Sequence, residues 1–259
     1  MSETFLSIVT INFNNADGLC KTIKSIRDQS FDNYEHIIID GGSTDESVDV
    51  IKQFLSDPVY SRHLSFWCSE KDAGRYNAMN KGIKIAKGRY VAILNSGDCY
   101  VPNALDSLDA IEMNNSDSVL YGAISLYCNE KFEGAFCPPA SSLPKQMIPH
   151  PATFVPLELY NKYGLYDETF KSSGDWELFL RLYKKNVNFI YINRIITNYD
   201  LGGISSTNLR LVEKENKRLL MRWGEYRVSY KKRLFIIIKA FYKYLRNCLS
   251  LKHCIFSKT

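Results

Sequence analysis

The sequence has no CxxC pair, no glycine-rich phosphate loop and no long apolar run free of charge. Its seven cysteines are odd in number and scattered, which argues against both a disulfide framework and a zinc knuckle and favours a reducing compartment. GxGxxG is missing, and no GKS or GKT follows a glycine turn, so dinucleotide-fingerprint and P-loop readings fall. The opening MSETFLSIVT has Glu3 before a short apolar run and lacks the basic start and long apolar core of a signal peptide. A cytoplasmic start is therefore expected. From Tyr226 onward there is no Asp or Glu at all, while nine of the 33 basic residues fall there. Residues 1–225 thus hold 24 basic against 28 acidic side chains, a net of −4 hidden inside a total of +5. A nucleic-acid-binding body would carry the basic excess itself, so no nucleic-acid partner is expected.

With 45% hydrophobic and 24% charged residues, 259 residues suffice for one large or two small globular domains. The first hundred residues alternate β-branched runs with helical periods, the pattern of βαβ units and a mainly parallel sheet. Strands are predicted at 5–11, 34–40, 64–68 and 89–94, and helices at 16–29, 44–55 and 75–86. Further on, 119–126 and 132–136 read as a strand pair, Cys137 to Pro156 as a proline-rich loop, 157–163 and 174–184 as helices, 189–192 as a strand and 209–223 as a helix. Each early strand ends in polar residues: Thr10-Ile11-Asn12, Asp40-Gly41-Gly42-Ser43, Ser69-Glu70-Lys71-Asp72 and Asn95-Ser96-Gly97-Asp98. Ligands of open α/β sheets bind outside the carboxyl ends of strands, so the site is expected where these four ends converge.

IDGGSTDES joins an acidic strand end to two glycines and a helix cap. Asp40 could accept from a nucleobase imide and the amides near Ser43 suit an anion, or the whole segment is only a capped βα turn. NSGD sets Asp98 where a carboxylate can hold a divalent cation against a diphosphate, or is an ordinary turn. In SSGDWELFLRLYKK, Asp175 opens a helix whose dipole favours an ionised carboxylate, as a general base requires. It could equally be the N-terminal charge of an amphipathic helix, with Glu177 as competitor. His150 in IPHPATF could meet an acceptor or a phosphate, or could be a structural hydrogen-bonding group. Residues 200–206 (DLGGISS) read as a closing loop or as a simple turn.

Taken in order, TINFNN, IIIDGGSTDES and SEKDAGRYNAMNKGIKIAKGRYVAILNSGD strongly resemble the nucleotide-binding half of glycosyltransferase family 2. The resemblance is close over about residues 5–105 and looser to about 205. It implies an α/β GT-A fold: a catalytic domain over 1–225, with a nucleotide-sugar half (1–105) and an acceptor half (106–225), and a basic amphipathic extension over 226–259. It implies that Thr10, Asn12 and Asp40 contact base and ribose with Asp72 beside them, that Ser43, Asn95 and Ser96 join the nucleotide-sugar site, and that Arg75, Asn80 and Lys81 lie along the helix closing it. Asp98 would be the retained metal carboxylate for Mg²⁺ or Mn²⁺, with Asn95 and Gly97 standing where relatives often have acidic residues. Asp175 matches the family's catalytic base, and His150, Trp176, Gly203 and Ser205 are candidate acceptor or diphosphate contacts. The implied reaction is inverting sugar transfer from a nucleotide sugar, UDP-linked by preference, to a lipid-linked (polyprenyl-diphosphate) glycan in cell-surface polysaccharide or O-antigen synthesis. The rivals are a sugar nucleotidyltransferase and a non-catalytic nucleotide-sugar-binding scaffold.

The extension LFIIIKAFYKYLRNCLSLKHCIF is interrupted too often by Lys and Arg to span a bilayer. At about 100° per residue, Lys239, Lys243 and Arg246 cluster on one side and Leu234, Phe241, Leu245 and Cys248 on the other. Such a helix can lie on the anionic inner face of the cell membrane, each basic side chain adding on the order of 1 kcal/mol. The other reading is a helix packed on the body with a solvated charged face. Removing residues 226–259 is expected to abolish co-sedimentation with anionic vesicles, and unchanged co-sedimentation would refute the anchor.

Overall fold

The computed structural model describes residues 4–108, 117–128, 131–200 and 208–226. The tail beyond 226 and the loop residues Gly203 and Ser205 lie outside the described residues, and with them the expected amphipathic helix and closing loop. The chain divides after Leu219, inside its last described helix.

Four parallel strands form one half of the sheet: β1 (Leu6–Asn12), β2 (Tyr34–Asp40), β3 (Leu64–Ser69) and β4 (Tyr90–Ile93), in the order β3-β2-β1-β4. β2, YEHIIID, is buried at all seven positions, as an internal parallel strand covered on both faces must be. Helices α1 (Ala16–Arg27), α2 (Ser47–Leu55), α3 (Pro58–Ser61) and α4 (Arg75–Ile85) make the crossovers. Leu19, Ile23 and Ile26 repeat at helical spacing on the buried face of α1. Leu19 and Ile23 pack with Ile38, Ile51 and Phe54 in one layer of core, each such side chain contributing roughly 1.5–3 kcal/mol.

Beyond β4 the sheet becomes mixed. β8 (Thr153–Pro156) runs antiparallel to β4 and to the first part of β6 (Val119–Cys128), whose later residues pair with β7 (Lys131–Phe136). The other edge of β6 pairs in parallel with β9 (Phe189–Asp200), which ends against the two-residue β5 (Cys99–Tyr100). Here the structure corrects the sequence reading: the proline-rich stretch contains a fully buried strand, TFVP. Its proline sits at the strand end, where a missing N–H does least harm. β9 also runs to Asp200 rather than stopping at 192, and its added length is held by β6 and β5, partners that local periodicity does not reveal. Helices α5 (Leu157–Tyr163), α6 (Gly174–Lys184) and α7 (Leu209–Arg222) complete the described elements. No helix among the described residues is long and apolar enough to cross a membrane.

His36 ties β2 to its neighbours: Nε2 lies 2.9 Å from Thr10 Oγ1 and Nδ1 2.5 Å from the Tyr60 hydroxyl. Burial pushes its pKa down to about 3, and nearby His63 adds to the shift. In the unfolded chain the same imidazole takes a proton near pH 6.5. Between those values the unfolded state binds more protons, so stability is complete above about pH 6.5 and falls as pH drops, by about 1.4 kcal/mol per unit. Buried His150 is shifted in the same direction. Urea unfolding at pH 7.5 and 5.5 is expected to show this loss; equal stability at the two values would mean that His36 is protonated in the fold.

Candidate active site

The carboxyl ends of β1, β2 and β3 meet through their side chains. Asp40, fully buried at the end of β2, accepts from Asn12 Nδ2 at 2.7 Å, Ser43 Oγ at 2.5 Å, the Ser43 amide at 2.9 Å and Ser69 Oγ at 2.6 Å. Burial works to raise its pKa, but these donors win and hold the carboxyl below the usual range. Because the Asn12 amide nitrogen faces this carboxylate, its Oδ1 is turned away and, among the described residues, has no hydrogen-bond partner. Gly42 takes φ +79°, which brings backbone against Lys71 without a side chain in between.

The turn after β3 adds Asp72, whose Oδ1 lies 2.6 Å from Lys81 Nζ; Glu70 is equally close to the same ammonium. Hydrogen bonds to Asp72 and then Glu70 raise the Lys81 pKa well above its ordinary value. The other Asp72 oxygen lies against Gly41, beside the ring of Phe13. Phe13 itself is 64% exposed directly after β1. An aromatic face left in water at a strand end full of polar groups is suited to stacking on a planar ring.

The NSGD turn is pinned from below by Thr22 of α1. Its hydroxyl accepts from the Gly97 amide at 2.9 Å and lies 2.8 Å from the Asp98 carbonyl oxygen. Asn15 Nδ2 donates to the Ser96 carbonyl at 3.1 Å. Asp98 is 8% exposed, and beside it Asn95 Oδ1 is buried with no partner among the described residues. The described residues contain no group of three or more His, Cys, Asp or Glu able to enclose a metal. One carboxylate and one amide oxygen are hard donors, and they fit a Mg²⁺- or Mn²⁺-type ion that fills its remaining positions with phosphate and water.

Asp175 stands in the first turn of α6. Its Oδ1 accepts from the Trp176 amide at 2.9 Å and from the Tyr76 hydroxyl at 3.3 Å, while Oδ2 has no hydrogen-bond partner among the described residues. Glu177 is 2% exposed and paired with Arg181 at 3.0 Å, which removes it as a competitor for a solvent-facing role. Just before the helix, Glu215 of α7 accepts from the amides of Lys171, Ser172 and Ser173 at 2.7, 2.8 and 3.0 Å.

The model of glycosyl transferase family 2 matches residues 7–138. An uncharacterised glycosyltransferase of Mycobacterium tuberculosis is 34% identical over 214 residues, 79% of this chain and 78% of its own. The chain belongs to glycosyltransferase family 2. A PGL/p-HBAD biosynthesis glycosyltransferase of Mycobacterium bovis is 30% identical over 227 residues, covering 85% of this chain and 86% of its own. Among solved structures, S. aureus TarS 1–349 in complex with UDP-GlcNAc superposes with a TM-score of 0.62 at 16% identity, over 78% of this chain and 61% of that one. The match spans 37% of the longer TarS chain. Mannosyltransferase PcManGT from Pyrobaculum calidifontis, in complex with GDP-Man and Mn²⁺, gives 0.58 at 15% identity, over 75% of this chain and 56% of that one. The fold is therefore GT-A, and the protein is a glycosyltransferase.

In this family 2 enzyme, Asn12, Asp40, Ser43 and Asp72 form one cluster through hydrogen bonds and close approach, and Asn95, Ser96 and Asp98 form the adjoining turn. Several expected contacts are placed elsewhere. Thr10 is fully buried and bonded to His36, below the crevice. Asn80 is buried and clamps the backbone of Tyr166, donating to its carbonyl and accepting from its amide, both at 3.0 Å, and it also donates to Glu168. His150 is buried against Tyr166 and Phe179, with Nε2 3.0 Å from the Tyr166 hydroxyl. Trp176 is buried too, its indole N–H donating to the Leu143 carbonyl at 2.8 Å. Arg75 stays partly exposed at the start of α4. Phe13, Thr22, Tyr76 and Glu215 escaped the sequence reading. Only Phe13 carried a signal, as a large aromatic among asparagines.

Asn80→Ala is expected to destabilise the fold by about 2–3 kcal/mol in urea unfolding, from lost hydrogen bonds at a buried site, with UDP affinity by calorimetry unchanged. Weakened UDP binding with intact stability would put Asn80 at the nucleotide.

Proposed function

We propose that this glycosyltransferase moves a sugar from a UDP-sugar to a hydroxyl of a lipid-linked glycan, inverting the anomeric centre, with Asp175 as base. The observation that carries the reading is the asymmetric carboxylate: one oxygen of Asp175 is held at a helix N-terminus and the other has no hydrogen-bond partner among the described residues. The acceptor proton passes to Oδ2 as the acceptor oxygen attacks the anomeric carbon. The bond from that carbon to the donor phosphate breaks, and the nucleoside diphosphate leaves with the electron pair.

Phe13 is the platform on which the base stacks, and the Asp40 hub orients Asn12 and Ser43 beside it. Asp98 and Asn95 would hold Mg²⁺ or Mn²⁺, which when bound neutralises charge on the departing diphosphate. That TarS carries UDP-GlcNAc supports a UDP donor. The basic tail supports a lipid-linked acceptor and peripheral attachment to the cytoplasmic face of the membrane. The PGL/p-HBAD relative supports a product in cell-surface glycolipid or polysaccharide synthesis.

The test is UDP release from UDP-glucose, UDP-galactose and UDP-GlcNAc with Mn²⁺ and a polyprenyl-diphosphate-linked monosaccharide, for the wild type and Asp175→Asn. Wild-type turnover is expected with at least one donor, and the variant should lose about 10²- to 10⁴-fold in kcat with UDP affinity intact. Near wild-type transfer by Asp175→Asn refutes the base, and tight UDP binding without turnover favours a scaffold.

A further inference from the structure

The base is addressed from an element that sequence places a hundred residues away. Tyr76, in the first turn of α4, is 2% exposed and reaches the start of α6 with its hydroxyl. That oxygen accepts from the Gly174 amide at 2.8 Å and lies 3.3 Å from Asp175 Oδ1. A Tyr hydroxyl has one proton. With a backbone N–H filling an acceptor position, the carboxylate oxygen is the acceptor for that proton.

The approach is close enough to dictate a residue type. A Cβ on Gly174 would stand 2.8 Å from Cε2 and Cζ of the Tyr76 ring, so a side chain there expels the ring or the helix start. Gly174 has no positive φ, and the need for glycine comes from this contact alone. The ring also stacks on Tyr166 with centroids 5.5 Å apart, and Tyr166 is held by Asn80, one turn further along α4. Burial, followed by the Asp175 charge, raises the Tyr76 pKa well above 10, which keeps the phenol protonated and able to donate.

We propose that Tyr76 is a positioning residue for catalysis: its hydroxyl, seated over Gly174, fixes the Asp175 carboxylate so that Oδ2 faces the acceptor. The inference rests on Asp175 as base. It joins the two halves of the site, because the same helix follows Asp72 on the nucleotide side and sets the base on the acceptor side. The titratable groups that sense the Asp175 charge here are Tyr76, His150 and Tyr166, and Arg75 of α4 is the cation beside them.

The test compares Tyr76→Phe, Asp175→Asn and the double variant in the UDP-release assay, with Gly174→Ala as an independent way of displacing the ring. Tyr76→Phe keeps the ring and loses only the hydroxyl. It is expected to lower kcat roughly tenfold with donor KM near wild type, alongside a fall in thermal melting because the buried Gly174 amide loses its acceptor. In the Asp175→Asn background the same change should cost nothing further, since its target is gone. Gly174→Ala should lower kcat in the same direction. In a crystal of Tyr76→Phe the Asp175 carboxylate should leave its position. Full kcat in Tyr76→Phe while Asp175→Asn is inactive overturns the positioning role and leaves the base standing. Full kcat in Asp175→Asn overturns the base itself. Additive losses in the double variant, or an unmoved Asp175 in the crystal, show that Tyr76 does not act through Asp175.

Discussion

A carboxylate taken out of water must be given donors from its surroundings, and Asp40 receives them from three strand ends at once. Asn12 comes from β1, Ser43 from the turn after β2 and Ser69 from β3. Losing one partner would leave a buried charge short of a donor, at a cost of about 1.5–3 kcal/mol. The site's floor is thus coupled to the parallel register, in which Asn12 stands beside Asp40 and Asp40 beside Ser69. The same hub orients the Asn12 amide and presents a fixed surface below the exposed Phe13.

α4 works on a second level. It packs on β1 and β2 and turns its buried Tyr76 and Asn80 toward the segment from Tyr166 to Asp175. Asn80 holds the Tyr166 backbone as a neighbouring strand would, and Tyr76 meets the N-terminus of α6. Glu215 then accepts three successive amides in the segment leading into that helix. The start of α6 is thus held from two sides.

Charge is distributed economically around the crevice. Asp72 and Glu70 share the single charge of Lys81, whereas Asp98 stands in a turn thinned of acidic residues, with Asn95 and Gly97 as neighbours.

Sequence alone determined the βα alternation, the order of polar strand ends and the separation of an acidic body from a basic tail. These follow from periodicity and local chemistry, and they were enough to point to the family. Tertiary structure decided which polar residues face the crevice. Asn80 and Tyr166 are 86 positions apart, and Tyr76 and Asp175 99, so no local pattern says that one asparagine clamps a backbone or that one tyrosine meets a carboxylate. The same holds for the buried TFVP strand, which exists because β4 and β6 flank it. Residue type and spacing specify what a side chain can do; what it does depends on the group that packing from a distant part of the chain sets against it.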